Sequence, residues 1–151
     1  MSKKYLQAFT LTLASIVFCT AQVATAQDRE YINPSVVGGG GSPFSGAVLT
    51  DDTLYISGML GVENGAPPAD PAQEARNVLN AIQGTLEDAG MTMDNLVYVQ
   101  IFCSDVSHYA VFNEVYRTYF TGTFPARAFI GAGTLLFNAR FEIQAIAVRS
   151  E

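Results

Sequence analysis

Two ionisable residues lie inside segments whose other residues are typical of buried strands. Arg127 lies in the segment Phe124–Phe129, and Glu142 lies in the segment Phe141–Ala145. A partly buried guanidinium requires an anionic partner, and its planar shape suits a carboxylate that accepts two hydrogen bonds. A neighbouring carboxylate can hold or deprotonate a water molecule. The two residues therefore predict either a structural ion pair, within or between subunits, or a site that binds a carboxylate and activates water.

Other polar residues add less to this hypothesis. Ser57 and Asn113 could donate neutral hydrogen bonds to a ligand, although such residues more often bond to nearby backbone or solvent. Cys103 is expected to be a buried, inert thiol, and His108 is expected to lie at the surface. With one His and two Cys in the whole chain, most metal sites and the common Ser-His and Cys-His nucleophile systems are excluded.

The N-terminus has the pattern of a cleaved secretory signal. Lys3 and Lys4 precede an apolar run over residues 8–19, and Ala24-Thr25-Ala26 closes the segment. A membrane anchor is the alternative, but the run is shorter than the ~20 residues that span a bilayer. We therefore expect cleavage after Ala26, a periplasmic or secreted protein, and no membrane association once the signal is removed.

Removal of this segment changes the length, Lys content and net charge of the chain. The 151-residue chain becomes a chain of 125 residues with no Lys and with six Arg against 14 acidic residues, a formal charge of −8. The absence of Lys excludes an enzyme that uses a Lys Schiff base, including one that holds pyridoxal phosphate covalently. Cys103 is then the single Cys, so no intrachain disulfide is possible. The negative charge also argues against nucleic acid as a partner.

Residues that favour turns divide the mature chain into a short arm and one domain. Residues 27–43, with Asn33-Pro34 and the glycines 38–41, predict a flexible arm without helix or strand. A phosphate-binding loop is the alternative, but no Lys-Ser or Lys-Thr pair follows the glycines. Residues 44–151 predict the order β-β-α-β-α-β-β. The predicted elements are a hairpin of 47–50 and 53–59, a helix from Asp70-Pro71 to Gly90, a strand at 96–104, a helix from Ser107 to Gly122, and strands at 125–132 and 141–148.

The starts of the two helices carry capping signals. Asp70 can cap the first helix, Pro71 suits its first position, and Gln73 has the spacing of a capping box. Ser107 can cap the second helix. The expected apolar stripes are Ala75, Val78, Leu79, Ile82 and Leu86 in the first helix, and Tyr109, Phe112, Tyr116, Tyr119 and Phe120 in the second.

Alternate residues of the strands define two faces of the sheet. The apolar face, expected under the helices, consists of Leu54, Ile56, Val97, Val99, Ile101, Cys103, Ala128, Ile130, Phe141, Ile143, Ala145 and Ala147. The other face is mixed and consists of Tyr55, Ser57, Met59, Tyr98, Gln100, Phe102, Arg127, Phe129, Glu142, Gln144, Ile146 and Val148. No third helix is left for this mixed face, so we expect another copy of the chain to cover it.

Four segments in combination resemble the RidA family, also called the YjgF family, of small trimeric enamine/imine deaminases. They are Tyr55-Ile56-Ser57-Gly58, Phe112-Asn113-Glu114-Val115-Tyr116, Phe124-Pro125-Ala126-Arg127 and Glu142-Ile143-Gln144-Ala145-Ile146-Ala147. The match runs from about Pro43 to Glu151. The resemblance implies an α+β, chorismate-mutase-like fold with two helices on one face of the sheet. It also implies a homotrimer whose sites lie in clefts between subunits.

The resemblance also implies roles for particular residues. Arg127 would bind the carboxylate of a 2-imino acid, and Glu142 would lie beside the water that attacks the imine carbon. Ser57 and Asn113 would be secondary contacts. The products would be a 2-oxo acid and ammonia, and no metal or organic cofactor would be needed.

Two residues depart from the family pattern. Phe44 stands where the best-known deaminases of the family have Tyr, and Phe129 stands where they have Cys. Both changes remove polarity near the expected substrate, although backbone groups at residue 129 could still contact it. Cofactor-free hydrolysis of 2-imino and enamino acids is the leading prediction. The alternatives are a non-catalytic, carboxylate-binding trimer in the periplasm and an interaction protein that uses its acidic exterior.

Overall fold

The structure is a computed structural model that describes residues 28–150. The predicted signal segment and its cleavage after Ala26 lie outside the described residues. Within that part of the chain, none of the helices has the length and apolar content needed to cross a membrane.

Residues 28–150 form one six-stranded sheet with two helices packed on one of its faces. The elements are β1 (Arg29–Ile32), β2 (Ala47–Thr50), β3 (Thr53–Leu60), α1 (Pro71–Asp88), β4 (Leu96–Cys103), α2 (Tyr109–Tyr116), β5 (Ala126–Gly131) and β6 (Phe141–Val148). The strand order is β1-β2-β3-β6-β4-β5, with β4 and β5 parallel and the other neighbours antiparallel. The predicted α+β fold is confirmed, with one additional strand.

The additional strand lies in the segment expected to be an arm without helix or strand. That expectation is wrong for Arg29–Ile32, which pairs antiparallel with β2 and places Ile32 opposite Ala47. Both of these side chains are buried. Without β1, β2 would be the edge strand, and its outer backbone groups would lack partners in the sheet. The pairing satisfies these groups and also buries the apolar side chain of Ile32.

Helix α1 begins where the sequence predicts. The Asp70 side chain accepts a hydrogen bond from the Ala72 amide at 2.9 Å, and the five residues of the predicted stripe are buried. The capping box expected from Gln73 does not form. Its side-chain amide instead donates to Asn77 Oδ1 at 2.8 Å, one turn further along the helix.

Helix α2 begins later and ends earlier than predicted. Asp105, and not Ser107, caps this region, because the Asp105 carboxylate accepts from the Ser107 amide at 2.8 Å. This hydrogen bond lowers the pKa of Asp105. A 3-10 turn over Val106–His108 precedes the helix, which ends at Tyr116 instead of continuing towards Gly122.

Two irregularities in the sheet change which residues face the helices. A register shift between Ile56 and Met59 turns Met59 towards the core, where it packs against the buried cluster. A second shift between Leu96 and Tyr98 leaves Val97 46% exposed, whereas Leu96 is buried. The predicted faces are therefore wrong at Met59 and Val97. A bulge adds a residue to one strand and so reverses the side-chain alternation beyond it.

A buried ion pair joins the start of α1 to the start of β6. Glu74 is fully buried, and its Oε1 accepts from the amides of Arg140 at 2.5 Å and Phe141 at 3.2 Å. Its Oε2 accepts from Arg140 Nη1 at 2.6 Å, and the same nitrogen donates to the Pro68 carbonyl at 2.8 Å. The Glu74 carboxylate thus satisfies two backbone amides where β6 begins, and Arg140 balances its charge.

Candidate active site

Arg127 lies on the helix-covered side of β5, which corrects the predicted face. In the parallel register Arg127 is beside Val99 and Phe129 is beside Ile101, and both β4 residues are buried under the helices. Residues in register on neighbouring strands share a face. Ala128 and Ile130 consequently occupy the open face, where Ile130 is exposed.

The guanidinium of Arg127 packs on aromatic rings of α2. Its Cζ lies 4.6 Å from the centroid of the Tyr116 ring and 6.0 Å from that of Tyr109. Both distances are within the range of cation–π attraction. Among residues 28–150, no hydrogen bond or ion pair engages this guanidinium. The charge is oriented by the rings and remains available to an anion.

Asn113 shares a pocket with Arg127. The pocket has a volume of about 170 Å³, and its lining consists of Asn113, Tyr116, Arg117, Phe124, Pro125 and Arg127. A small-molecule site usually measures about 300–1,000 Å³. This pocket lies below that range, and it brings the guanidinium together with the neutral hydrogen-bonding side chain of Asn113. A larger pocket of about 750 Å³ lies between α1 and α2 and contains none of the predicted site residues.

Glu142 lies on the open face of the sheet, against Gly58 of β3. A Cβ atom built at Gly58 would lie 2.2 Å from Glu142 Oε1, so only glycine leaves room for the carboxylate in this position. Glu142 is partly buried and has no ion-pair or hydrogen-bond partner within residues 28–150. The absence of a side chain at residue 58 thus determines where this carboxylate can lie.

Ser57 belongs to the same region as Glu142. The Ser57 hydroxyl donates to the Ser45 carbonyl at 2.7 Å, which leaves its oxygen lone pairs for a ligand. Phe44, the residue before Ser45, is half exposed. Ser57, the neighbour of Gly58, therefore lies with Glu142, and Phe44 is absent from the lining of the Arg127 pocket.

Phe129 packs into an aromatic cluster beneath α2. Its ring makes edge contacts with Phe112 at 5.6 Å and with Tyr109 at 5.0 Å between centroids. The ring is absent from the lining of the Arg127 pocket. Phe129 thus contributes to core packing in this chain.

The predicted partners Arg127 and Glu142 therefore lie on opposite faces of one sheet. An ion pair between them within one subunit is ruled out, because the sheet separates them and neither group has an ionic partner in the described chain. The structure places Asn113 with Arg127, and Ser57 and Gly58 with Glu142. A single chain thus places the two groups of predicted site residues on opposite faces of its sheet.

The prediction of a buried thiol at Cys103 is confirmed. Cys103 is fully buried, its thiol donates to the Asp105 carbonyl at 3.0 Å, and burial raises its pKa. Across residues 28–150, no group of three or more His, Cys, Asp or Glu side chains is arranged to hold a metal ion.

Two contributors to the site were not assigned by sequence reasoning. Tyr116 was assigned to the apolar stripe of α2, yet its ring supports the Arg127 guanidinium. Gly58 was noted only as part of a motif. A glycine within an apolar strand was the available signal, because such a residue often marks the close approach of another group.

Comparison with known proteins agrees with this fold. Residues 40–149 match the family model described as Endoribonuclease L-PSP. A Bos taurus protein named 2-iminobutanoate/2-iminopropanoate deaminase is 38% identical over 119 residues, which cover 77% of this chain and 84% of that protein.

Two solved structures from E. coli are similar over most of the chain. The YjgF gene product has 32% identity and a TM-score of 0.69, with 78% of this chain and 93% of that chain covered. TdcF with bound serine has 30% identity, the same TM-score and the same coverage. The fold and these similarities place the chain among small α+β proteins whose matched relatives include imine deaminases. The chain belongs to the RidA family, also called the YjgF family.

Proposed function

We propose that the protein hydrolyses reactive 2-imino and enamino acids to 2-oxo acids and ammonia, without a cofactor and outside the cytoplasm. The observation that carries this proposal is the unpaired Arg127 guanidinium, which shares a pocket with Asn113. Relatives at 33–38% identity that are named imine deaminases support the reaction class. Bound serine in TdcF supports a ligand with a carboxylate next to a nitrogen-bearing carbon.

The proposed chemistry uses one charge for binding and one for proton transfer. Arg127 binds the substrate carboxylate through two hydrogen bonds. Glu142 accepts a proton from water while the water oxygen forms a bond to the imine carbon, and the C=N electron pair moves to nitrogen. The nitrogen then takes the proton held by Glu142 and a second proton from solvent, the C–N bond breaks, and ammonia leaves. Loss of the remaining hydroxyl proton forms the carbonyl of the 2-oxo acid.

We propose that the two halves of the site meet between neighbouring subunits of a homotrimer. Arg127 and Glu142 cannot meet within one chain, and the lining of the Arg127 pocket contains no acidic side chain that could activate water. The open face also exposes large apolar side chains, including Tyr55, which is 50% exposed. Burial of such a face against a second copy is favourable.

Replacement of Arg127 by alanine tests the proposed activity. The purified protein should accelerate ammonia release from a freshly generated 2-imino acid, and the R127A variant should lose about 30- to 1,000-fold in kcat/KM. The exposed Arg76 serves as the matched control, because R76A removes the same charge far from the pocket. Equal rates for wild type and buffer would remove the catalytic proposal. Binding of 2-oxo acids that depends on Arg127, without turnover, would favour the carboxylate-binding trimer.

Replacement of Gly58 by alanine tests the position of Glu142. The new methyl group would overlap Oε1, and the flexible carboxylate must move. We expect a loss of about 10- to 100-fold in kcat with little change in thermal stability, because misplacement of a reacting group by ~1 Å has effects of this size. G133A is the control, since a Cβ at Gly133 meets no atom within 4 Å. Unchanged kcat in G58A would show that this position of Glu142 is not required.

A further inference from the structure

The hydroxyl group of Tyr116 is a buried polar group without a partner. The residue is 3% exposed, and within residues 28–150 its oxygen is the buried side-chain atom that lacks a hydrogen bond. Buried hydroxyl groups are nearly always hydrogen-bonded, because an unpaired one loses its interaction with water and gains nothing. A phenylalanine would fill the same apolar space at no such cost. The tyrosine therefore suggests a partner that the isolated chain does not supply.

The surroundings of the ring indicate where that partner binds. Tyr116 lines the pocket that contains Arg127 and Asn113, and its ring carries the Arg127 guanidinium at 4.6 Å. Phe112 and Phe120 pack against the same ring, with centroids 5.9 and 4.8 Å away. The aromatic neighbours fix the ring and offer its hydroxyl no acceptor. An anion held by Arg127 would come close to the phenol.

The protonation state of the phenol suits a hydrogen-bond donor. Burial raises the pKa of Tyr116 to about 12, and the nearby Arg127 charge opposes this rise. The group is therefore neutral at physiological pH and retains its proton. A neutral phenol can donate to a carboxylate, which only accepts hydrogen bonds when ionised.

We propose that Tyr116 is a further substrate-binding residue, whose hydroxyl donates a hydrogen bond to the carboxylate bound by Arg127 while its ring orients that guanidinium. This inference rests on the proposed function and adds a second group to carboxylate recognition. In the free protein the ring of Tyr116 orients the Arg127 guanidinium. When the ligand binds, the Tyr116 hydroxyl gains a hydrogen-bond acceptor. The unpaired hydroxyl thus costs stability in the free state and contributes affinity in the bound state.

Calorimetric titration with 2-oxobutanoate separates the two parts of this role. The Y116F variant keeps the ring and should bind about 10- to 100-fold more weakly than wild type, the effect of one hydrogen bond to a charged group. Without ligand, its thermal midpoint should equal or exceed that of wild type, because the buried unpaired hydroxyl is gone. Y116L removes the ring as well and should weaken binding further.

Y119F provides the matched control. In wild type the Tyr119 hydroxyl donates to Asn80 Oδ1 of α1 at 2.7 Å, away from the Arg127 pocket. Loss of this hydroxyl should leave the affinity for 2-oxobutanoate unchanged. Wild-type affinity in Y116F would overturn the inference, as would a Y116F variant that loses affinity only together with its oligomeric state. If R127A abolishes binding and Y116F binds with wild-type affinity, the proposed function stands and the role of Tyr116 fails. Absence of binding by wild type, or full binding by R127A, removes both.

Discussion

The R140A variant is expected to lose about 3–5 kcal/mol of the free energy of unfolding, because it leaves the buried Glu74 carboxylate without its cation. Glu74 is fully inaccessible, whereas the Arg140 side chain is 24% exposed. Arg140 also donates to the Pro68 and Ala69 carbonyls, so its removal leaves those acceptors without their donor. Such a loss is a large part of the 5–15 kcal/mol typical of a folded domain.

Denaturant unfolding at one fixed protein concentration measures this effect, since concentration alters the apparent stability of an oligomer. The R76A variant is the matched control, because Arg76 pairs with Asp70 at 3.4 Å where the two side chains are 43% and 59% exposed. An exposed pair of this kind contributes about 0.2–1 kcal/mol. Equal losses in R140A and R76A would show that the buried pair is no more stabilising than a surface pair.

The importance of Glu74 and Arg140 was only partly visible in the sequence. Glu74 falls one turn before Val78 on the side of α1 that carries the apolar stripe, which is a signal for a buried, paired carboxylate. Its partner lies 66 residues later, at the residue before β6. Spacing along the chain cannot identify such a partner, because the fold alone brings the two segments together.

The periodic elements were predictable because they depend on local patterns. The stripe of α1, the Asp70 cap and the two-residue hairpin between β2 and β3 all form as expected. The strand β1 was missed because its four residues include a single buried side chain, Ile32. Such a short strand gains its stability from pairing with β2, which no local pattern reveals.

The orientation of β5 was the consequential error. Its alternate residues offer Ala128 and Ile130 on one face and Arg127 and Phe129 on the other, so apolar content does not decide between the faces. The parallel register with β4 decides it by placing Phe129 beside Ile101, under the aromatic residues of α2. Arg127 lies two residues before Phe129 in the same strand, so its side chain is on the same face. The residues of the candidate site were therefore predictable from their types, whereas their separation by the sheet was not.

This separation predicts a specific result when inactive subunits are mixed. The R127A and E142A variants should each be nearly inactive, yet the proposed trimers, assembled at random from equal amounts of both variants, should recover about one quarter of wild-type activity. Each proposed site takes Arg127 from one subunit and Glu142 from its neighbour. A site is intact when an E142A subunit supplies the arginine and an R127A subunit supplies the glutamate, and random order gives this arrangement at about one site in four.

A second mixture tests the same geometry from the other direction. Equal amounts of wild type and the double variant R127A/E142A are assembled at random, and the activity is compared with that of the same total amount of wild type. It should be about one quarter if each site needs two neighbouring wild-type subunits, and about one half if a site belongs to one subunit. Size-exclusion chromatography of both mixtures checks that trimers have formed. No recovery in the first mixture, together with one half in the second, would contradict a shared site. Recovery in the first mixture would show that the sheet of one subunit presents Glu142 to the Arg127 pocket of the next.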